Sequence, residues 1–399
     1  MPFGGISISA FCVEPWIGLS RTTAFAKYTV FKNRAVVIAL ELFLFQMSAT
    51  AWNPESAAAY LDQRASWWAS WSGAARDNGT FCVSCHTAAP YALARLALRR
   101  SLSQTSLSTC ETRLLSSVTK RVRLWGNVKP YYGDDANGSA KAAESRGTEA
   151  VLNALILASA DAENGRLGKD ASLAFDHMWA LQIGSGDRKG AWPWLDFGNE
   201  PFEARDSGYY GAAMAAIAAG TAPQSYRADP AIEGKIRSLC DYLNRECPRQ
   251  PAINRVVLLW ASARLPGLLS ENRRQAIIDE ILDAQRADGG WSLASLAWSW
   301  KSTSLESLTK LWMRADSTPL DPRSDGYATG LIIFALEQAG LHHNNPNLRR
   351  GLAWLERNQN RQTGSWPGYS LNKHTDASSA TGLFMTDAAT AYAVLALTP

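Results

Sequence analysis

The chain has 399 residues, a formal charge of +4 and 19 % charged residues. That length suits one large domain or two ordinary ones, and the charge is too small and too scattered for a nucleic-acid footprint. Apolar residues make up 46 %, enough for a sizeable core, and the 16 tryptophans require a repeated structural task.

In chain order, residues 1–51 read as a leader. Lys32 and Arg34 precede an apolar run over 35–45, and Ala49-Thr50-Ala51 offers an A-x-A cleavage site. The run is short for a membrane span, and Glu41 interrupts it. A true start near residue 30 would make it an ordinary signal peptide. Under this reading residues 52–399 form one periplasmic or secreted domain. The alternative is a retained membrane anchor over about 35–51.

The next feature is Cys82-Val-Ser-Cys85-His86. C-x-x-C-H is the attachment signature of a c-type haem. In a first reading both thiols hold haem c and His86 is the iron ligand. A sixth ligand would come from Met178, Met214, Met313, Met385, His177 or His374, and a redox partner is implied. In a second reading Cys82 and Cys85 form a disulfide, as export favours. In a third the trio contributes to a zinc site, with a fourth ligand unassigned. Cys240 and Cys247 are a further pairing, Cys110 is left over, and Cys12 goes with the leader.

The rest of the chain repeats. Amphipathic helices are predicted near 54–72, 103–125, 170–183, 229–245, 271–287 and 347–359. They alternate with helices rich in Ala, Gly and Ser that start near 86, 144, 206, 254, 325 and 387. Three turns of Gln, Gly and Trp separate them: Gln182 to Gly190 and Trp192, Gln285 to Gly289 and Trp291, and Gln359 to Gly364 and Trp366. Six such pairs predict an all-α fold. The small-residue helices crowd around an axis and the amphipathic ones wrap outside, as an (α/α)6 toroid. Asp206, Asp325 and Asp387 open three inner helices as N-caps. They are also the candidate catalytic acids. Asp134 and Asp135 read as a solvated turn.

The inner-helix N-termini would meet at one mouth, lined by Tyr91, Tyr209, Tyr210, Tyr327, Trp192, Trp194, Trp291 and Trp366. Such a pocket suits a small apolar or saccharide ligand. Residues 292–321, with Trp298, Trp300 and Trp312, break the repeat as a lid, a membrane-surface contact or a partner surface.

Gln285-Arg-Ala-Asp-Gly289-Gly-Trp291 resembles the QW motif of squalene–hopene and oxidosqualene cyclases; the other two turns are looser versions. The helices from Asp325 and Asp387 are similar to those of the terpenoid cyclase and protein prenyltransferase toroid superfamily. The resemblance implies that Gln caps a helix end and Trp braces the outer helices. The cyclase chemistry does not come with it, because the Asp-x-Asp-Asp acid and the second barrel are absent. The prenyltransferase zinc set is not matched either, since the cysteines lie on the first inner helix. Three expectations stand together: a toroid carrying haem c, a haem-free toroid that binds or modifies a ligand, and an interaction scaffold.

Overall fold

The segment Ser207–Thr221 reads SGYYGAAMAAIAAGT, with small or apolar residues on every face, and it is buried almost throughout. Helices apolar all round belong inside a fold. The same holds for Gly326–Gln338 and Phe384–Leu397. By contrast Glu271–Asp283 buries Ile277, Ile278 and Ile281, a single stripe, and presents charge elsewhere.

These two kinds alternate along the chain. The computed structural model describes residues 52–298 and 312–398. Its longer helices are α1 (Pro54–Ser70), α2 (Ala88–Ser101), α3 (Thr109–Arg123), α4 (Asp134–Asp161), α5 (Lys169–Ala180) and α6 (Ser207–Thr221). They continue with α7 (Pro230–Glu246), α8 (Ala252–Arg264), α9 (Glu271–Asp283), α10 (Gly326–Gln338), α11 (Pro346–Asn358) and α12 (Phe384–Leu397). A hairpin of two-residue strands, β1 (Ala75–Arg76) and β2 (Thr80–Phe81), follows α1. The fold is all-α apart from that hairpin. Among the described residues no helix is long and apolar enough to cross a membrane. The leader, Cys12, Trp300 and residues 299–311 lie outside the described residues.

Most helices start within a few residues of the sequence expectation. The exceptions are α3, which starts at Thr109, six residues after its expected start, and α4, which begins at Asp134 because the chain is helical on both sides of a break at Gly138 (φ 80°). The backbone at Asp134 and Asp135 is therefore a helix start and not a turn.

Each even-numbered helix packs on the next, from α2 on α4 through α10 on α12, and α12 packs on α2. The odd-numbered helices lie against them: α1 on α2 and α12, α3 on α4, α5 on α4, α7 on α6, α9 on α8, and α11 on α10. Small residues allow this closeness. A Cβ on Gly330 would lie 2.5 Å from the Tyr392 backbone, so α10 and α12 touch main chain to main chain.

The Gln-Gly-Trp turns link one outer helix to the next, each residue with its own task. Gln285 Nε2 donates to Gly289 O in its own turn and to Asn347 O at the start of α11, both at 2.8 Å. Gln182 spans Gly190 O and Lys235 O of α7 likewise. Gln359 donates to Gly364 O and Asn53 O, and accepts from Asn53 N–H at 2.7 Å. The last turn is thus tied to the cap of the first outer helix. Each Trp donates its indole N–H back to the helix before it: Trp192 to Met178 O, Trp291 to Ile281 O and Trp366 to Leu355 O. Each Gly is left-handed and pressed on the next outer helix.

That geometry separates two glycines of similar φ. A Cβ on Gly364 (φ +79°) would lie 2.3 Å from the Ser56 carbonyl, whereas one on Gly186 (φ +73°) meets nothing within 4 Å. Gly186→Ala is expected to cost only the backbone term, about 1 kcal/mol. Gly364→Ala adds displacement of α1 and is expected to cost roughly 3 kcal/mol or more. Urea titration of both variants checks this, and equal losses would refute it.

Candidate functional site

Asp77-Asn78-Gly79 turns the hairpin, with Asn78 and Gly79 both at positive φ. Such turns match the strand twist. The second strand delivers Cys82, whose N–H bonds Ala74 O at 2.8 Å. Two further contacts fasten the segment. Trp68 Nε1 donates to Cys82 O at 2.7 Å, and Arg121 donates to Thr80 Oγ1 and to the buried Glu149. Ser84, inside the C-x-x-C, then caps α2 by accepting from Thr87 N–H and Ala88 N–H.

His86 stands just before α2 in an aromatic clamp. Phe384 stacks on it at 3.9 Å between centroids, and Trp68 meets it edge-on at 5.1 Å. Burial, and then the Arg64 charge, depress its pKa to about 3, so the imidazole is neutral. Its Nδ1 lies 2.8 Å from Thr87 Oγ1, and Thr87 Oγ1 lies 2.7 Å from Asp387 Oδ2. Asp387 Oδ1 accepts from Tyr60 and from Arg64 Nε, while Oδ2 also accepts from Arg64 Nη2. Burial pushes the Asp387 pKa up, with Arg64 opposing. All four lone-pair positions of the carboxylate receive a donor, so no place is left for a proton. Thr87 therefore gives its one hydroxyl hydrogen to Asp387. His86 Nδ1 must be the donor to Thr87, and Nε2 keeps its lone pair.

Cys82 and Cys85 are unpaired and buried. Burial pushes the Cys82 thiol up to about 12 and the Cys85 thiol well above its ordinary value. Disulfide-exchange thiols need the opposite shift. Glu203 stands close enough to raise both, and burial in turn lifts its own pKa to about 7. Around Cys85 lie Tyr210, Tyr327 and Tyr392. Tyr327 meets Tyr392 edge-on at 5.3 Å, and Phe202 meets Tyr210 and Tyr327 at 5.6 and 5.5 Å.

The other sequence-named residues separate into groups. Tyr210, Tyr327 and Trp194 join the aromatic cluster around Cys85. Tyr209 turns to the outer layer, donating to Leu243 O, and Tyr91 bonds Asp62 on α1. Trp192, Trp291 and Trp366 are braces, as described. Asp325 does cap, accepting from Ala328 N–H, and its other oxygen holds Leu293 N–H. Asp206 occupies the cap position of α6 without a side-chain bond to a helix N–H, and Asp387 lies inside the first turn of α12. The uniform capping role expected for the three acids therefore fails. Their registers differ because Leu383, not an acid, precedes α12. Cys240 and Cys247 are both unpaired. Trp298 is buried and Trp312 is 73 % exposed.

Sequence reasoning missed Tyr60, Arg64, Trp68, Phe384 and Glu203. Only the arginine, a charge on an otherwise apolar helix face, left a signal. His177 stacks on Trp125, and His374 is exposed, its N–H on Asp316. Among the described residues no group of three or more His, Cys, Asp or Glu is placed to hold a metal ion, and Cys82, Cys85 and His86 are not gathered as a zinc set. Neither the family models nor the curated proteins compared with the chain match it.

Glu203 yields a pH prediction. Its folded pKa of about 7 exceeds the ordinary 4.5, so the folded state holds a proton that the unfolded state has released. The stability it contributes is complete below pH 4.5 and lost as pH rises through 7. Glu203→Gln is expected to remove that slope. It should gain up to about 3 kcal/mol on wild type between those limits, less where water screens the carboxylate. Denaturant midpoints at pH 4.5 and pH 8 check it, and parallel curves would refute it.

Proposed function

We propose that residues 52–399 form a single (α/α)6 toroid, exported behind the leader, that holds a covalent haem c at Cys82 and Cys85 with His86 as iron ligand. The toroid reading rests on the packing order of the even-numbered helices and on the Gln359 link from the last turn to Asn53. The haem reading rests on one observation above all. The chain from Asp387 through Thr87 to His86 Nδ1 leaves Nε2 as a lone pair, in a C-x-x-C-H segment whose two thiols are unpaired. That donor set fits the group: thioethers need no thiolate once formed, and an axial imidazole needs its other nitrogen anchored.

The group would supply one-electron chemistry when bound. The residues of the chain do the rest. Asp387 anchors Thr87, and Thr87 fixes the tautomer and basicity of the imidazole. Phe384 and Trp68 hold its ring plane. The aromatic cluster of Phe202, Tyr210, Tyr327 and Tyr392 keeps water from the thiol side.

A second reading keeps the toroid haem-free, with the same aromatic cluster receiving an apolar ligand. Visible absorbance separates the two. Co-expressed with haem-attachment machinery in an oxidising compartment, the protein is expected to show a Soret band that survives acid–acetone extraction. Cys82→Ser with Cys85→Ser should lose it. Thr87→Val should keep the band and raise the reduction potential, because a less basic imidazole stabilises ferric iron less. A colourless wild-type protein would overturn the haem reading.

A further inference from the structure

A cavity of about 490 Å³ is bounded by the C-terminal halves of all six even-numbered helices. Its wall is mixed: Leu93, Ile217, Phe334 and Leu395 alternate with polar side chains, Ser159 and Gln338 among them. Two arginines, Arg100 at the end of α2 and Arg264 at the end of α8, stand among that lining, and no acidic residue does. The Arg264 backbone is pinned, since a Cβ on Gly220 of α6 would lie 2.5 Å from its carbonyl carbon.

Arg264 is the informative group. Among the described residues it has no carboxylate partner and bonds none of the carbonyls at its own helix end. Desolvation, and then the like charge of Arg100, both lower its pKa. Basic residues at a helix end usually serve its carbonyls, and this one does not. Trp260, buried and in the same wall, has an indole N–H with no acceptor. Two exposed guanidinium groups at the rim and a buried, unspent N–H over a partly apolar floor match a ligand with an anionic head and a hydrocarbon body.

We propose that this cavity binds a single-chain amphiphile with a carboxylate head, the chain among Leu93, Ile217 and Phe334 and the carboxylate between Arg100 and Arg264. A planar carboxylate matches the guanidinium fork. The volume lies in the range of small-molecule sites. The carbonyl ends of the surrounding helices repel an anion, so affinity depends on the two arginines. The site is independent of the haem reading and would stand if that failed.

Calorimetric titration of the full chain with dodecanoate below its critical micelle concentration, dodecanol below its solubility limit, and acetate tests it. Dodecanoate is expected to bind at least tenfold tighter than dodecanol, and acetate not measurably. Arg264→Met keeps the apolar stem and should weaken dodecanoate about tenfold or more while leaving dodecanol unchanged. Leu93→Trp, filling the chamber from a half-buried position, should weaken both chains. Should that variant fold poorly, the Arg264→Met comparison still decides. Equal binding of dodecanoate and dodecanol, unchanged binding by Arg264→Met, or no dodecanoate binding by wild type would each overturn the proposal.

Discussion

The buried ion pair of Arg64 and Asp387 joins the first long helix to the last, and the candidate site hangs on it. Arg64 Nε lies 2.7 Å from Asp387 Oδ1, with both side chains almost wholly out of water. Such a pair is a poor source of net stability, since desolvating two charges offsets most of their attraction. Its force lies in what breaking it costs, about 3–5 kcal/mol when one partner is left alone. Arg64 and Asp387 therefore hold α1 and α12 in a single relative position. The same carboxylate takes the Thr87 hydroxyl, so the contact that joins the ends of the fold also sets the histidine tautomer. A second pair repeats the plan: Arg121 of α3 meets Glu149 of α4 and reaches back to Asp77 and Thr80 of the hairpin. The Cys82–His86 segment is clamped from both sides by an arginine of an odd-numbered helix on an acid of an even-numbered one.

The Gln-Gly-Trp turns work by the opposite economy. In each, the neutral glutamine amide satisfies main-chain groups that two helix ends would otherwise leave bare. The outer helices they reach begin alike: Asn53-Pro54, Asp229-Pro230 and Asn345-Pro346 each give an Asx cap followed by proline in the first turn. Proline there loses no hydrogen bond, because that N–H has no helical partner. Turn and cap together pair main-chain groups at the end of one helix and the start of the next. Paired, the groups at this joint can be buried under a tryptophan without penalty.

Much of this was legible in the chain. Alternation of small-residue and amphipathic segments gave the helix order, and the repeated Gln, Gly and Trp gave the joints, because both are local patterns with a fixed period. The partners of His86 were not legible. Asp387 lies 300 residues away from Thr87, and nothing local distinguishes it from Asp325, which caps a helix. Tyr91, Tyr209 and Tyr210 share one composition and face different ways, since a helix turns its side chains by about 100° per residue and the sequence alone does not say where the axis lies. Glu203 was invisible for a related reason: a glutamate in a loop reads as solvated until the fold wraps it beside two thiols.

Asp325 and Asp387 show how little the helix N-terminus alone decides. Both sit at inner-helix starts, where the dipole favours a carboxylate by at most about 2 kcal/mol. Asp325 also accepts two main-chain N–H groups, yet burial lifts its pKa to about 7. Desolvation thus outweighs dipole and cap together, and an acid there is half-protonated near neutrality. Asp387 is as deeply buried. It differs in having a guanidinium across both oxygens and two hydroxyls besides, which fill every lone pair. Only the second arrangement keeps a fixed negative charge, and only a fixed charge can orient a neutral histidine through a single hydroxyl. Of the three acids at inner-helix starts, Asp387 is therefore the one equipped to serve the imidazole.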